Sequence, residues 1–250
     1  MEDVAVVDSH VSGLSQGERL VDTFIAPSKT FTDIRRSAAW WMPFVLMCII
    51  STCYSFVLVH KVGYTALVDG IVHQNAALEE RLQNATPADA ARIRGTMETQ
   101  FKFSYAAPVI FLIAGLVVAG IFLLTANFGF GGRATYGQML AVWFYGTLPL
   151  MFVSLLTILA LYAGMASESF NVQNSVGTNV GYYLTGTSAP HWLITMTSSI
   201  DVFAIWAAFL LGMGVSIVAG IKRSSGMIVV FGWWILMVLC KTAFAALTGS

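Results

Sequence analysis

Long uncharged apolar runs, separated by polar stretches, dominate the chain. Five runs have the length a bilayer-crossing helix needs, roughly 17–25 mostly apolar residues. They predict spans at about 39–60, 106–128, 139–164, 200–221 and 227–247. The apolar residues are continuous rather than alternating, which argues against barrel strands. A lone chain segment in hydrocarbon satisfies its own backbone only as a helix. The prediction is therefore all-α: a polytopic membrane helix bundle with five transmembrane helices.

The polar stretches carry patterns of their own. Residues 1–38 read as a tail that begins acidic, with Glu2, Asp3 and Asp8. Leu20, Val21, Phe24 and Ile25, then Phe31 and Ile34, predict one or two short amphipathic pieces broken at Pro27. Such pieces suit a membrane surface, ahead of Trp40 and Trp41 at the position of an interfacial aromatic belt. A terminal segment packed without lipid contact fits the same pattern. Residues 39–250 form the five-span membrane domain. Between the first two spans, Gly63–Asn84 reads as a helix with Leu67, Ile71, Leu78 and Leu82 on one side. Thr86-Pro87-Ala88-Asp89 reads as a helix start: a capping Thr, Pro in the first turn, and Asp reaching back. The second helix, 87–103, would feed the second span. The expected product is an external helical hairpin that extends the first two spans, either packing on itself or binding a partner.

Composition agrees. Hydrophobic residues are 57% and charged residues 10%, against about 45–50% and 25% in soluble domains. That excludes a soluble globule and a disordered chain, and thirteen scattered Lys and Arg exclude a nucleic-acid-binding face. The polar segments 1–38 and 61–105 hold 20 of the 26 charges, so the bundle itself is almost uncharged. Orientation then rests on few residues. Arg35 and Arg36 precede the first span, Arg133 follows the second, and Lys222 with Arg223 joins the fourth to the fifth. Residues 165–199 hold no Lys or Arg. The positive-inside rule places the N-terminus in the cytoplasm and the C-terminus outside. No basic start leads into a short apolar run, so no signal peptide is predicted.

Candidate chemistry is sparse. Cys48, Cys53 and Cys240 lie in spans and read as small hydrophobes. His10, His60, His73 and His191 are scattered without metal spacing. Gly13-Leu14-Ser15-Gln16-Gly17 matches a nucleophile elbow in letters but lacks the strand and helix around it. Gly129-Phe130-Gly131-Gly132-Arg133 lacks the spacing of a phosphate cradle and reads as a turn. No catalytic group, metal or cofactor is predicted. Ionisable residues within membrane spans are candidate functional groups. Asp201 and Lys241 fall in the same leaflet on spans four and five, as an ion pair or snorkelling anchor, or as part of a solute or proton path. Ala208, Gly212, Ser216 and Gly220 form a small-residue stripe for close helix packing, within the bundle or between copies. Gly115 and Ala119 do the same in span two. Pro149 predicts a kink in span three near Tyr145.

Several short motifs together resemble the Yip1-domain family in its bacterial form. They are Ile25-Ala26-Pro27-Ser28-Lys29-Thr30-Phe31 before span one, Tyr145-Gly146-Thr147-Leu148-Pro149 in span three, and Asp201-Val202-Phe203-Ala204-Ile205-Trp206 opening span four. Phe144 stands where many members have Gly. The family's eukaryotic branch implies Rab-GTPase partners in vesicle traffic, but the Asp-Leu-Tyr-Gly-Pro type motif is absent and those partners are not carried over. The resemblance implies an integral protein of the bacterial cytoplasmic (inner) membrane. The expected function is non-enzymatic membrane organisation or scaffolding. Its expected partners are membrane lipids, with protein partners or self-association and no nucleic acid. The competing expectation is a small-solute transporter or permease subunit, with a path near Tyr145, Pro149, Gln138 and Lys241.

Overall fold

The computed structural model describes residues 13–167 and 170–248. The acidic residues Glu2, Asp3 and Asp8 and the imidazole of His10 lie outside them. Twelve α-helices are described, and five continuous helical stretches are long and apolar enough to cross a membrane. Span one is α3 (Trp41–Lys61). Span two belongs to one helical run, Pro87–Gly129. It contains α6 (Pro87–Lys102), a 3-10 turn at Phe103–Ala106 and α7 (Ala107–Leu124). Span three is Tyr136–Tyr162, made of α8 (Tyr136–Gly146) and α9 (Met151–Tyr162). Spans four and five are α11 (Val202–Ala219) and α12 (Arg223–Thr248).

The short connections gather at one end of the bundle. There the Arg133 N–H donates to the Ala219 carbonyl at 3.0 Å, and Gln138 Nε2 donates to the Arg35 carbonyl at 3.1 Å. Exposed Arg35, Arg36, Arg133, Lys222 and Arg223 make this the basic end. The glycine-rich turn packs tightly here. A Cβ on Gly132 would sit 2.9 Å from the Ala219 Cβ, and Gly131 has φ 69°. Asn127 clamps the turn by bonding both N–H and carbonyl of Ala134. The residues form a close turn against α11.

The opposite end carries the long connections. The hairpin between spans one and two is α4 (Tyr64–Gln74), α5 (Ala76–Gln83) and α6. The Thr86 hydroxyl caps α6 through the Asp89 N–H, and Pro87 opens its first turn. The expected single helix at 63–84 is two. Asn75 leaves helical geometry, and its side chain accepts from the Leu78 N–H at 2.9 Å, starting α5 afresh. Asp69 and Arg94 form an ion pair across the hairpin. Residues beyond α9 form a polar segment without Lys or Arg that ends in α10 (His191–Thr197) beside α12.

Span three is interrupted around Pro149. α8 stops at Gly146, Leu148–Leu150 form a 3-10 turn, and α9 resumes. The cysteines differ from expectation. Cys53 and Cys240 are exposed on the spans' outer surfaces and only Cys48 is partly covered. Their apolar setting is the bilayer face rather than a protein core. Trp41 is half-exposed, whereas Trp40 turns inward and stacks on Phe144 at 5.2 Å.

Candidate functional site

Two short helices precede span one: α1 (Gln16–Ile25) and α2 (Pro27–Arg36). Ser15 starts α1 with a reciprocal capping box. Its hydroxyl accepts from the Glu18 N–H, and the Glu18 carboxylate accepts from the Ser15 N–H at 2.7 Å. That is the role of the serine in the Gly13–Gly17 motif. Pro27 stops α1 and occupies the first turn of α2, where its missing N–H costs nothing. The two helices fold back on each other as a hairpin. Ten residues give each helix a length of about 15 Å, half a hydrocarbon core of roughly 30 Å.

The hairpin is docked in the bundle. Its foot lies at the basic end beside Gln138. Toward its tip, Phe24 meets Phe152 at 5.6 Å and Trp206 at 5.7 Å between ring centroids. Phe31 and Ile34 have no exposed surface. Phe31 fills a notch made by Gly214 on α11: a Cβ there would lie 2.9 Å from the Phe31 ring and 2.7 Å from Val142.

The seam between α1 and α2 is polar. Arg19 is 1% exposed. Its Nε donates to Asp33 Oδ2 at 2.6 Å, with Nη2 2.5 Å from the same oxygen. Thr23 and Thr30 are fully buried and both donate to the Arg19 carbonyl. Arg36 holds the other Asp33 oxygen at 3.0 Å. The Tyr145 hydroxyl, beside the Arg19 guanidinium, donates to Gln16 Oε1 at 3.0 Å. Arg19 Nη1 is buried without a hydrogen-bond partner. Burial works to raise the Asp33 pKa, but hydrogen bonds from Arg36 and Arg19 and their positive charges outweigh it. The carboxyl is held below the ordinary 3.8.

α11 is the centre on which the other elements pack. The small-residue stripe faces α12 within the chain. A Cβ on Gly212 would meet Met227, and one on Gly226 would lie 2.4 Å from the Gly212 carbonyl oxygen and 2.7 Å from the Ser216 Cβ. Ala208 is buried with them. Gly220 has a different role. Its φ of 68° ends α11 in a left-handed cap, so it turns the chain rather than admitting a helix. Gly115 receives the Trp143 ring of α8, and Ala119 is fully buried.

Asp201 and Lys241 are not joined. The Asp201 carboxylate caps α11, accepting from the Phe203 and Ala204 N–H groups at 2.8 and 2.9 Å, and from the Thr178 hydroxyl at 2.5 Å. Lys241 is exposed on α12 and has no ion pair among the described residues. Tyr145 and Pro149 are buried in the packed core with Phe144 and Leu148. They therefore do not line one path with the exposed Lys241. Among the described residues, no three His, Cys, Asp or Glu side chains gather as a metal-binding group.

The Yip1 domain matches residues 21–244, nearly the whole chain. This protein belongs to the Yip1-domain family. No curated protein and no solved structure is significantly similar to it. The Yip1 region begins inside α1, so it takes in the hairpin tip and α2 along with all five spans. Two stretches that carried the resemblance each touch the hairpin. Tyr145 of span three touches the hairpin at Gln16, and Trp206 of span four touches it at Phe24. Sequence reading missed Gln16, Arg19 and Asp33. The available signal was Arg19 set among the apolar positions of α1, opposite a proline-started helix carrying Asp33.

Proposed function

We propose that this Yip1-domain protein is a non-enzymatic organiser of membrane shape and protein assembly, acting through lipid and protein contacts. One observation carries the reading: a hairpin of two half-length helices is packed against spans three and four, with its foot at the basic end. It adds the cross-section of two helices, each about 10–12 Å wide with side chains, at one depth of the bilayer. The hairpin's free surface suits such a place. Val21, Ile25 and Lys29 are exposed toward the tip, while Thr32, Arg35 and Arg36 are exposed toward the foot of α2. Apolar groups would meet acyl chains and the basic groups at the foot would meet headgroups.

The positive-inside rule assigns the basic end, with Arg35, Arg36, Arg133, Lys222 and Arg223, to the cytoplasm. The C-terminus is then outside, in a bacterial cytoplasmic membrane. On that reading the hairpin widens the cytoplasmic leaflet. The packed interior around Tyr145 and Leu148 favours this reading over a solute path. Reconstitution at increasing protein-to-lipid ratios, imaged by cryo-electron microscopy, tests it. The expected result is a progressive change in vesicle diameter, or protein clustering at curved regions. Vesicles of unchanged size carrying randomly dispersed monomers would refute it.

A further inference from the structure

The end opposite the basic one holds a cleft of about 750 Å3. It lies between the polar segment after α9, the α4–α5 junction and the last turns of α12. That volume falls in the range of small-molecule sites, about 300–1,000 Å3. Its lining carries amides, hydroxyls, imidazoles and an indole: Asn171, Asn174, Thr185, Thr187, His191 and Trp192 among others. Among the described residues, no Asp, Glu, Lys or Arg lines it. The nearby carboxylate is Glu79, 3.4 Å from the His73 Nδ1 at the rim.

We infer that this cleft is a binding site for the neutral polyhydroxyl headgroup of a sugar. A charged ligand would find no opposite charge among the described lining residues to offset its desolvation. A purely apolar one would leave the amides and hydroxyls unpaired. A sugar offers both donors and acceptors at each hydroxyl and an apolar ring face. Asn174 has the matching vacancy: it is 2% exposed, its Nδ2 donates to the Thr185 hydroxyl at 3.3 Å, and its Oδ1 is buried with no partner. The Asn171 Oδ1 is already committed to the N–H groups of Gln173 and Asn174, which fixes that amide and leaves its Nδ2 to donate. Trp192 is 40% exposed, an indole face available to a ring.

Two sources supply this chemistry, a free saccharide and a glycolipid. Ala245 and Ala246 of span five form one wall, and Phe244 and Leu247 beside them are largely exposed. A glycolipid could therefore keep its chains along α12 while its headgroup entered the cleft. The site stands independently of any effect of the protein on membrane shape.

The test uses the full chain in phosphatidylcholine nanodiscs, prepared without glycoside detergents. One sample receives free maltotriose, another contains diglucosyl diacylglycerol in the disc, and a third receives glucose 6-phosphate as a charged control. Saturation transfer from protein to sugar-ring protons is recorded by NMR. We expect transfer in at least one of the first two samples, retained in Trp192→Phe and weakened about tenfold or more in Trp192→Ala. Thr187→Val should weaken it without loss of fold, checked by circular dichroism. Transfer from maltotriose identifies a soluble source; transfer from the glycolipid alone identifies a lipid source. No transfer in either of those two samples overturns the proposal. So does equal transfer in Trp192→Ala, or stronger transfer to glucose 6-phosphate than to maltotriose and the glycolipid.

Discussion

Replacing Asp33 with Ala is the sharpest probe of the hairpin. Arg19 is almost wholly buried between α1, α2 and the bundle, and Asp33 supplies its ionic partner at 2.5 Å. Removing that partner leaves a buried guanidinium uncompensated, which costs about 3–5 kcal/mol. Only undocking or opening the hairpin rehydrates the charge, so the cost should appear there first. At about 1.4 kcal/mol per tenfold, the hairpin should open roughly a hundredfold to a few thousandfold more often. Hydrogen exchange of residues 16–36 in nanodiscs reads this directly. The expected result is fast exchange in α1 and α2 with little change in α7 or α11. Arg19→Met with Asp33→Leu removes both charges and should restore most of the protection, because a well-packed apolar pair replaces a buried ion pair at little cost. Arg36→Ala should do little: its side chain is 58% exposed, and such pairs contribute about 0–1 kcal/mol. Unchanged exchange in Asp33→Ala, or a double variant as exchange-prone as the single one, would refute the reasoning.

Titration should reproduce part of that effect. The folded Asp33 pKa is depressed below 3.8, so its stabilisation is complete above that value and is lost as pH falls through the folded pKa. Hairpin protection should stay flat from neutral pH down to about 5 and decline below 3.8; a decline near neutrality would contradict it. Gly226→Ala should lower the thermal unfolding midpoint by overpacking the α11–α12 contact at a cost of about 1–3 kcal/mol. Gly232→Ala, with nothing within 4 Å of the new Cβ, should be neutral or slightly stabilising. Lys241→Met should leave insertion and stability unchanged within about 0.5 kcal/mol. Asp201→Ala should cost about 0.5–2 kcal/mol as a lost helix cap, seen as earlier unfolding of α11 in the same melting series.

The spans and the α6 start were legible because each depends on neighbours in sequence: an unbroken apolar run, or Thr86 three residues before the Asp89 N–H that it caps. Asn75 shows the limit of that reading. Gly63–Asn84 keeps one apolar side throughout, yet a single side chain able to bond Leu78 N–H starts a new helix, and periodicity carries no trace of it. The Arg19–Asp33 pair is less visible still. Its members are fourteen positions apart, and meet only because Pro27 reverses the chain. Leu20, Phe24, Phe31 and Ile34 did mark the hairpin's apolar positions, but the same pattern serves a helix lying on lipid and a helix docked on protein.

What separates those two cases is written on the partner helix. α11 packs against α2, α8 and α12, and a helix covered on most of its sides leaves little amphipathic stripe to read. Its neighbours are marked instead by small residues at different angles. Gly212 and Ser216 accept α12, while Gly214, two positions on from Gly212, faces away from it and accepts Phe31. Across the same helix, Gly146 of α8 gives way to Leu211, with a Cβ there only 2.6 Å from its Cδ2. Within lipid, where an apolar surface gains little by leaving the bilayer for protein, close fit decides which helices associate. Gly212 belonged to the regular four-residue stripe and could be seen as packing. Gly214 broke that spacing, and it is the residue that seats the hairpin. An extra small residue out of phase with a span's main stripe is therefore the mark of a second docked element, and Gly214→Leu should expel α2 while leaving the α11–α12 contact in place, an outcome that exchange of residues 27–36 against 202–219 distinguishes.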